Sequence, residues 1–215
     1  MKYLAEAVGT FLLVAVVVGS GIMGENMSNG NNGVALLANT IATGAILYVI
    51  INMFSSISGA HFNPVVSFIF YIKREISFKT FALYSVFQVI SGLLAIVLIH
   101  YIFQINIFQI STNVRGELPL LVSEIIATSG LIMTILFVSD NNKESIASSV
   151  ALFITAGYWF TSSTSFANPA VTISRIFTNT FTGISPESVP YFLSGQLLGS
   201  ILGLYIYNSV KRAKN

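Results

Sequence analysis

Two stretches decide the fold: ISGAHFNPVVSFIFYI, residues 57–72, and STSFANPAVTISRIF, residues 163–177. In each, an Asn-Pro pair follows a loop of mostly small residues and precedes a short apolar run. Asn is among the best helix N-cap residues, and Pro is favoured at the first helical position. Asn63-Pro64 and Asn168-Pro169 therefore read as helix starts. The runs they open, 63–72 and 168–177, rise only about 15 Å as helices, half of a bilayer core. One such dipeptide would mean no more than a helix start. Two, in matching surroundings, predict a pair of re-entrant half-helices.

Composition supplies the solvent for such elements. The chain has 215 residues, of which 54% are hydrophobic and 8% charged. A soluble domain carries about 25% charged residues, so this surface belongs in a lipid bilayer. Disordered chains, nucleic-acid binders and most soluble enzymes are excluded, and a net charge of +2 is too small for a phosphate-binding face. There is no cysteine, hence no disulfide, thiolate nucleophile, Fe–S cluster or palmitoylated thiol. Nothing calls for a cofactor or metal. Six apolar spans are expected near 4–23, 34–54, 80–103, 119–139, 146–162 and 189–209. Glu6, and the lack of an A-x-A-like site, argue against reading the first span as a cleaved leader.

Basic residues orient the spans. With both termini in the cytoplasm, Lys2, Lys73, Arg74, Lys79, Lys143, Lys211, Arg212 and Lys214 fall inside, and only Arg115 and Arg175 do not. The expected location is the inner (plasma) membrane. The halves of the chain, about 1–103 and 119–210 of one channel domain, also echo each other. Glu6 opens the first span and Glu124 the fourth; FSSISGAHFNP, 54–64, matches FTSSTSFANP, 160–169; Gln88 matches Gln196. Three spans per half makes the repeat inverted, an arrangement that places a pathway at the midplane on interrupted helices.

The two helix N-termini would then meet near the bilayer centre. Each carries about half a positive charge, which disfavours cations. The amide NH₂ of each Asn can donate to a passing hydroxyl, whose own protons must turn away, interrupting a proton wire. Carbonyls of Gly59, Ala60 and His61, and of Thr164 and Phe166 around Ser165, are candidates to line the path. His61 reads equally as pore lining or loop support. Glu6 and Glu124 lie within spans, and intramembrane acids are functional candidates by default. Their symmetry favours a structural role, each accepting hydrogen bonds from the opposite re-entrant loop. His100 is expected at the membrane interface. Gly195, Gly199 and Gly203 form small-xxx-small steps that permit close helix packing.

The paired boxes Asn63-Pro64-Val65 and Asn168-Pro169-Ala170, with Glu6, Glu124, Gln88 and Gln196, resemble the aquaporin and glycerol-facilitator family, the major intrinsic proteins. Val65 departs from the usual Ala. The resemblance covers nearly the whole chain and implies an all-α membrane fold of six transmembrane helices and two half-helices, usually a homotetramer with a pore in each subunit. It also implies a selectivity filter of four positions. Counted from the boxes, with no change of loop length, these are Thr43, Ala156, Ser165 and Val171. Family members usually have Arg where this chain has Val171. Four small side chains imply a wide, mildly amphipathic opening with no aromatic wall, suited to small neutral polyols. In the alternative reading Arg175, one turn beyond Val171 on the same face, reaches back to replace the missing Arg and the channel is water-selective. Otherwise Arg175 is a helix-terminal anchor. AVGTFLLVAVVVGSGIM, YWFTSSTSFANPAVTISR and FTNTFTGISPESVP are similar to bacterial aquaglyceroporins of arsenic-resistance operons, which implies passage of arsenous acid, a neutral triol. A coupled transporter is disfavoured because no acid adjoins either Asn-Pro. An enzyme is disfavoured because no Asp lies in a span, no His pair suits a metal and no Ser has a base at helical spacing.

Overall fold

In the computed structural model, which describes residues 1–214, the chain forms eight α-helices among those residues. They are α1 (Lys2–Met27), α2 (Asn32–Ser58), α3 (Pro64–Ile72), α4 (Phe78–Ile102), α5 (Leu118–Asn141), α6 (Ile146–Phe160), α7 (Pro169–Ser174) and α8 (Val189–Lys214). Caps set the starts. Asn31 Oδ1 accepts from the amides of Gly33 and Val34, and Ser77 Oγ from that of Thr80. Gly59, at φ +89°, ends α2 in the left-handed conformation that glycine adopts without strain.

Helices α1, α2, α4, α5 and α8 are long and apolar enough to cross a bilayer. The fifth expected span, 146–162, is shorter than a full crossing. Its helix α6 has 15 residues and rises about 22 Å. Its start is preceded by a 3₁₀ turn at Lys143–Ser145. Its end is set by Thr161, whose amide and hydroxyl both donate to the Gly157 carbonyl as the chain turns back inward. The helices show little amphipathy because lipid covers their outer faces; Ile41, Ile90, Leu94, Leu152 and Tyr205 are exposed there.

Helix α1 packs on α2 and α4, as α5 packs on α6 and α8, so the second half repeats the order of the first. The half-helices α3 and α7 are inserted between the halves, each against α4 and α8. The chain ends share one face. There Lys211 and Tyr207 of α8 both bond Asp140 at the end of α5, and the Lys73 ammonium lies 5.5 Å above the Tyr207 ring.

The α5–α8 seam is built on backbone contact. A Cβ at Gly195, Gly199 or Gly203 would lie 2.7, 2.6 or 2.7 Å from the carbonyl oxygens of Leu121, Ile125 and Ser129. Backbone cannot yield as a side chain end can, so the small residues are a steric requirement of the close approach. Gly199→Ala should therefore destabilise the fold by about 1–3 kcal/mol, the usual cost of overpacking. Gly116→Ala, where a Cβ meets nothing closer than 3.5 Å, should fall within about 0.5 kcal/mol of wild type. Thermal unfolding in detergent reads both; equal midpoints would remove the steric account.

Candidate functional site

Asn63 and Asn168 stand in extended backbone at the starts of α3 and α7. Asn63 Oδ1 accepts from the Val65 amide at 3.0 Å, and Asn168 Oδ1 from Ala170 at 3.0 Å and Val171 at 3.4 Å. Pro64 and Pro169 occupy the first helical positions, and Val65 and Ala170 are buried in the first turns. The two starts touch. Asn63 Nδ2 donates to the Ala167 carbonyl at 2.7 Å, and Asn168 Nδ2 donates to the Phe62 carbonyl at 2.8 Å. Each amide thus caps its own half-helix with oxygen and grips the opposite loop with nitrogen. The second hydrogen of each NH₂ has no protein acceptor among the described residues.

The loops before the two Asn residues are held from behind. Glu6 accepts from the amides of His61 and Phe62, from Ser58 Oγ and from Gln88 Nε2, at 2.6–3.0 Å. Glu124 accepts from the amides of Phe166 and Ala167 and from Gln196 Nε2, at 2.7–3.0 Å. Gln88 also reaches Ser67 Oγ, as Gln196 reaches Thr172 Oγ1, each four residues beyond its Asn. The expectation that each Glu holds the opposite loop is corrected here: each holds the loop of its own half, because the helix bearing the Glu lies behind that loop. The link between halves is made by the two Asn side chains instead.

This backing shapes the loop backbone. Ala60, Phe62, Thr164, Ser165 and Ala167 all have φ between 46° and 61°, a conformation that L-residues rarely adopt. The amides of Phe62 and Ala167 turn to the Glu carboxyls and those of Ala60 and Ser165 to hydroxyls, while that of Thr164 donates to the Thr161 carbonyl. The carbonyls of Gly59, Ala60 and His61 and of Thr164, Ser165 and Phe166 accept no hydrogen bond among the described residues, and all six residues line one cavity. His61 both faces this cavity and steadies its loop, with Nδ1 3.0 Å from Ser67 Oγ and its ring 4.6 Å from that of Phe70.

The cavity measures about 410 Å³. It runs from Lys143 and Glu144, on the face of the chain ends, past Asn63 and Asn168 to Arg175. One wall carries the carbonyls and Asn amides; the other is apolar, with Leu13, Val17, Leu47, Leu131 and Val150. A second cavity of about 310 Å³ lies beyond, and Thr164 and Arg175 line both.

Thr43, Ser165 and Val171 of the four expected filter residues line the main cavity. Ala156 does not; it is exposed on the opposite face of α6. The cavity side of α6 is Val150, Ile154 and Tyr158, a spacing of four, and residue 156 stands about 200° around the helix from either neighbour. Counting back from Asn168 carried the error, because it assumed a fixed loop length. The apolar spacing within α6 would have pointed to Tyr158. That phenol bonds Thr43 Oγ1 at 3.0 Å.

The expectation of an opening without aromatic or Arg is revised as well. Tyr158, Phe166 and Arg175 all line it. Arg175 is 4% exposed. Its guanidinium lies over the Phe166 ring, with Cζ 3.6 Å from the centroid, and its Nε donates to the Thr182 carbonyl. The segment after α7 builds that seat: the Ile184 amide donates to the Arg175 carbonyl, and Ser111 to that of Ile176. His100, in the last turn of α4, is fully buried and bridges the Ile107 carbonyl and Thr178 Oγ1 beneath the same segment. Nothing in the sequence pattern announced that bridge.

Comparison with known proteins bears on this geometry. Residues 1–166 match the family described as Major intrinsic protein. The chain is 45% identical over 203 residues to aquaglyceroporin AqpS of Rhizobium meliloti (strain 1021), covering 94% of this chain and 87% of that one. It is 28% identical over 219 residues to Nodulin-26 of Glycine max, covering 98% and 78%. Among solved structures, the aquaglyceroporin from Plasmodium falciparum superposes with a TM-score of 0.77 at 20% identity, over 97% of this chain and 95% of that one.

Glu124→Ala would leave two loop amides and one of the two Nε2 hydrogens of Gln196 without an acceptor, at about 1–3 kcal/mol for each buried donor. The expected result is a large loss of folded protein in detergent, with Glu124→Gln intermediate because one acceptor oxygen survives. Wild-type thermal midpoints in both variants would show that these bonds do not hold the loop.

Proposed function

The chain belongs to the major intrinsic protein family, whose members are membrane channels for water and small solutes and not enzymes, and we propose that it conducts small neutral polyols, arsenous acid among them, as well as water. The observation that carries the reading is Val171 in the first turn of α7, with the nearest guanidinium one turn further out and tied back onto Phe166 and Thr182. A polyol has a hydroxyl edge and a hydrocarbon edge. In the pore, hydroxyls meet the carbonyls before Asn63 and Asn168 and the free amide hydrogens of both Asn residues, while the carbon skeleton slides on the apolar wall. Arsenous acid, uncharged near neutral pH, presents three hydroxyls and is not repelled by the positive helix starts. The relative at 45% identity carries the name aquaglyceroporin, which supports this class.

In this reading Thr43, Tyr158, Ser165 and Val171 form the filter, with Arg175 at its outer edge. The presence of Arg175 in the lining also favours a second reading, a narrower water-selective pore with Arg175 as its cation. Stopped-flow proteoliposomes separate the two. Wild-type protein should pass glycerol and arsenous acid, and Val171→Arg should lower triol flux several-fold more than water flux. Water flux with both triols excluded would establish the second reading.

Both termini are assigned to the cytoplasmic side of the inner membrane, and the chain to a homotetramer. The apolar outer faces of the helices support the membrane location, the clustering of Lys73 and Lys211 with the chain ends supports the orientation, and the tetramer follows from the family resemblance alone. Because the native chain has no cysteine, single cysteines report topology cleanly. Those at the exposed positions 29 and 187 should label in intact cells and one at 143 should not; labelling at 143 would reverse the orientation.

A further inference from the structure

The outer cavity is unlike the pore it leads into. Its lining includes two charged residues, Arg115 and Arg175, and no carboxylate. Both guanidiniums share one aromatic ring: that of Arg175 lies 3.6 Å from the Phe166 centroid and that of Arg115 lies 5.6 Å from it. Neither is within 4.0 Å of an acid among the described residues, whose ion pairs are Lys73–Glu75 and Lys211–Asp140. Two acids are bonded to residues around the cavity, and neither forms an ion pair with these guanidiniums. Glu124 is bonded to Phe166, Ala167 and Gln196, and Glu25 at the rim accepts from the Phe181 amide.

The donors are mostly unused. Arg175 gives Nε to the Thr182 carbonyl, and Arg115 gives Nη2 to the Ser162 carbonyl. Both Nη groups of Arg175, and Nε and Nη1 of Arg115, have no protein acceptor among the described residues. A cation as buried as Arg175 is costly to leave without a counter-charge. Two guanidinium forks around one hollow match the oxygen geometry of a tetrahedral oxyanion better than that of a neutral solute. The hollow of about 310 Å³ has room for one. Since Thr164 and Arg175 line this cavity and the pore alike, an occupant there stands in the path of any solute.

We propose that the outer vestibule binds a small oxyanion between Arg115 and Arg175, and that the bound anion blocks passage of neutral solutes. The blocking rests on the pore reading above; the binding does not. The anion stays because moving it inward would strip it from both guanidiniums and expose it to the apolar wall of the pore.

Inorganic phosphate is the probe, with chloride at equal ionic strength as the control. In proteoliposomes, phosphate should lower glycerol flux several-fold and saturably. Arg115→Gln should raise the half-blocking concentration at least tenfold, each variant being normalised to its own phosphate-free flux. In detergent, phosphate should raise the thermal midpoint of wild-type protein and not that of Arg115→Gln. That second measurement needs no flux, so a protein that passes no glycerol but is stabilised by phosphate would fail the pore reading and keep the anion site. Glycerol flux and a thermal midpoint both indifferent to phosphate, or equal effects of chloride, would overturn the site. Stabilisation by phosphate with unblocked glycerol flux would overturn the block.

Discussion

Irregular backbone at the centre of a bilayer is possible only if its amides find acceptors, since lipid offers none. Here two buried carboxyl groups, Glu6 and Glu124, supply them. Each takes the two amides just before an Asn-Pro and is itself tethered by a glutamine from α4 or α8. With the amides drawn backward, the carbonyls are left facing forward. The polar wall of the pore is therefore a consequence of where the loop donors are satisfied. Backbone carbonyls thus supply much of the polar surface, which helps a chain that is 54% hydrophobic to line a hydrophilic path with few polar side chains.

The same asparagines join the halves. Oxygen caps one half-helix while nitrogen binds the loop of the other, at 2.7 and 2.8 Å. A residue with only one kind of hydrogen-bonding atom could not do both. Asp would lose the donor and face a carbonyl with another acceptor. The pairing places the positive ends of α3 and α7 together, so the juxtaposition of the half-helices and the continuity of the fold rest on one pair of side chains.

The outer end follows different rules. Its shape depends on the segment from Arg175 to Ile184, which is seated by His100, by Ser111 and by the return bond of Ile184 to Arg175. Arg175 reaches the pore from one turn beyond Val171 because its guanidinium finds a ring and a carbonyl there. Size and charge are consequently separated at this mouth: a small apolar side chain sits at the first turn, and a fixed cation sits outside it.

Much of this was legible in the residues alone. Asn-Pro pairs before half-length apolar runs mark half-helices because capping and φ restriction are local properties. The Glu, Asn-Pro and Gln series repeats in order because each half solves the same local problem, and α8's glycines announce a close seam at helical spacing. What the residues left undecided were relations between segments distant in the chain. An offset counted along the sequence put Ala156 on the cavity, whereas helix phase turns Tyr158 toward it and Ala156 away. Symmetry identified Glu6 and Glu124 as structural, yet only packing decides which loop lies within reach of each carboxyl. The burial of His100 and the two cations around Phe166 depend on how the outer segments fold over the bundle. Capping and periodicity act over a few neighbouring residues and can be read in one dimension. Which side chains share a cavity is fixed only when the helices pack.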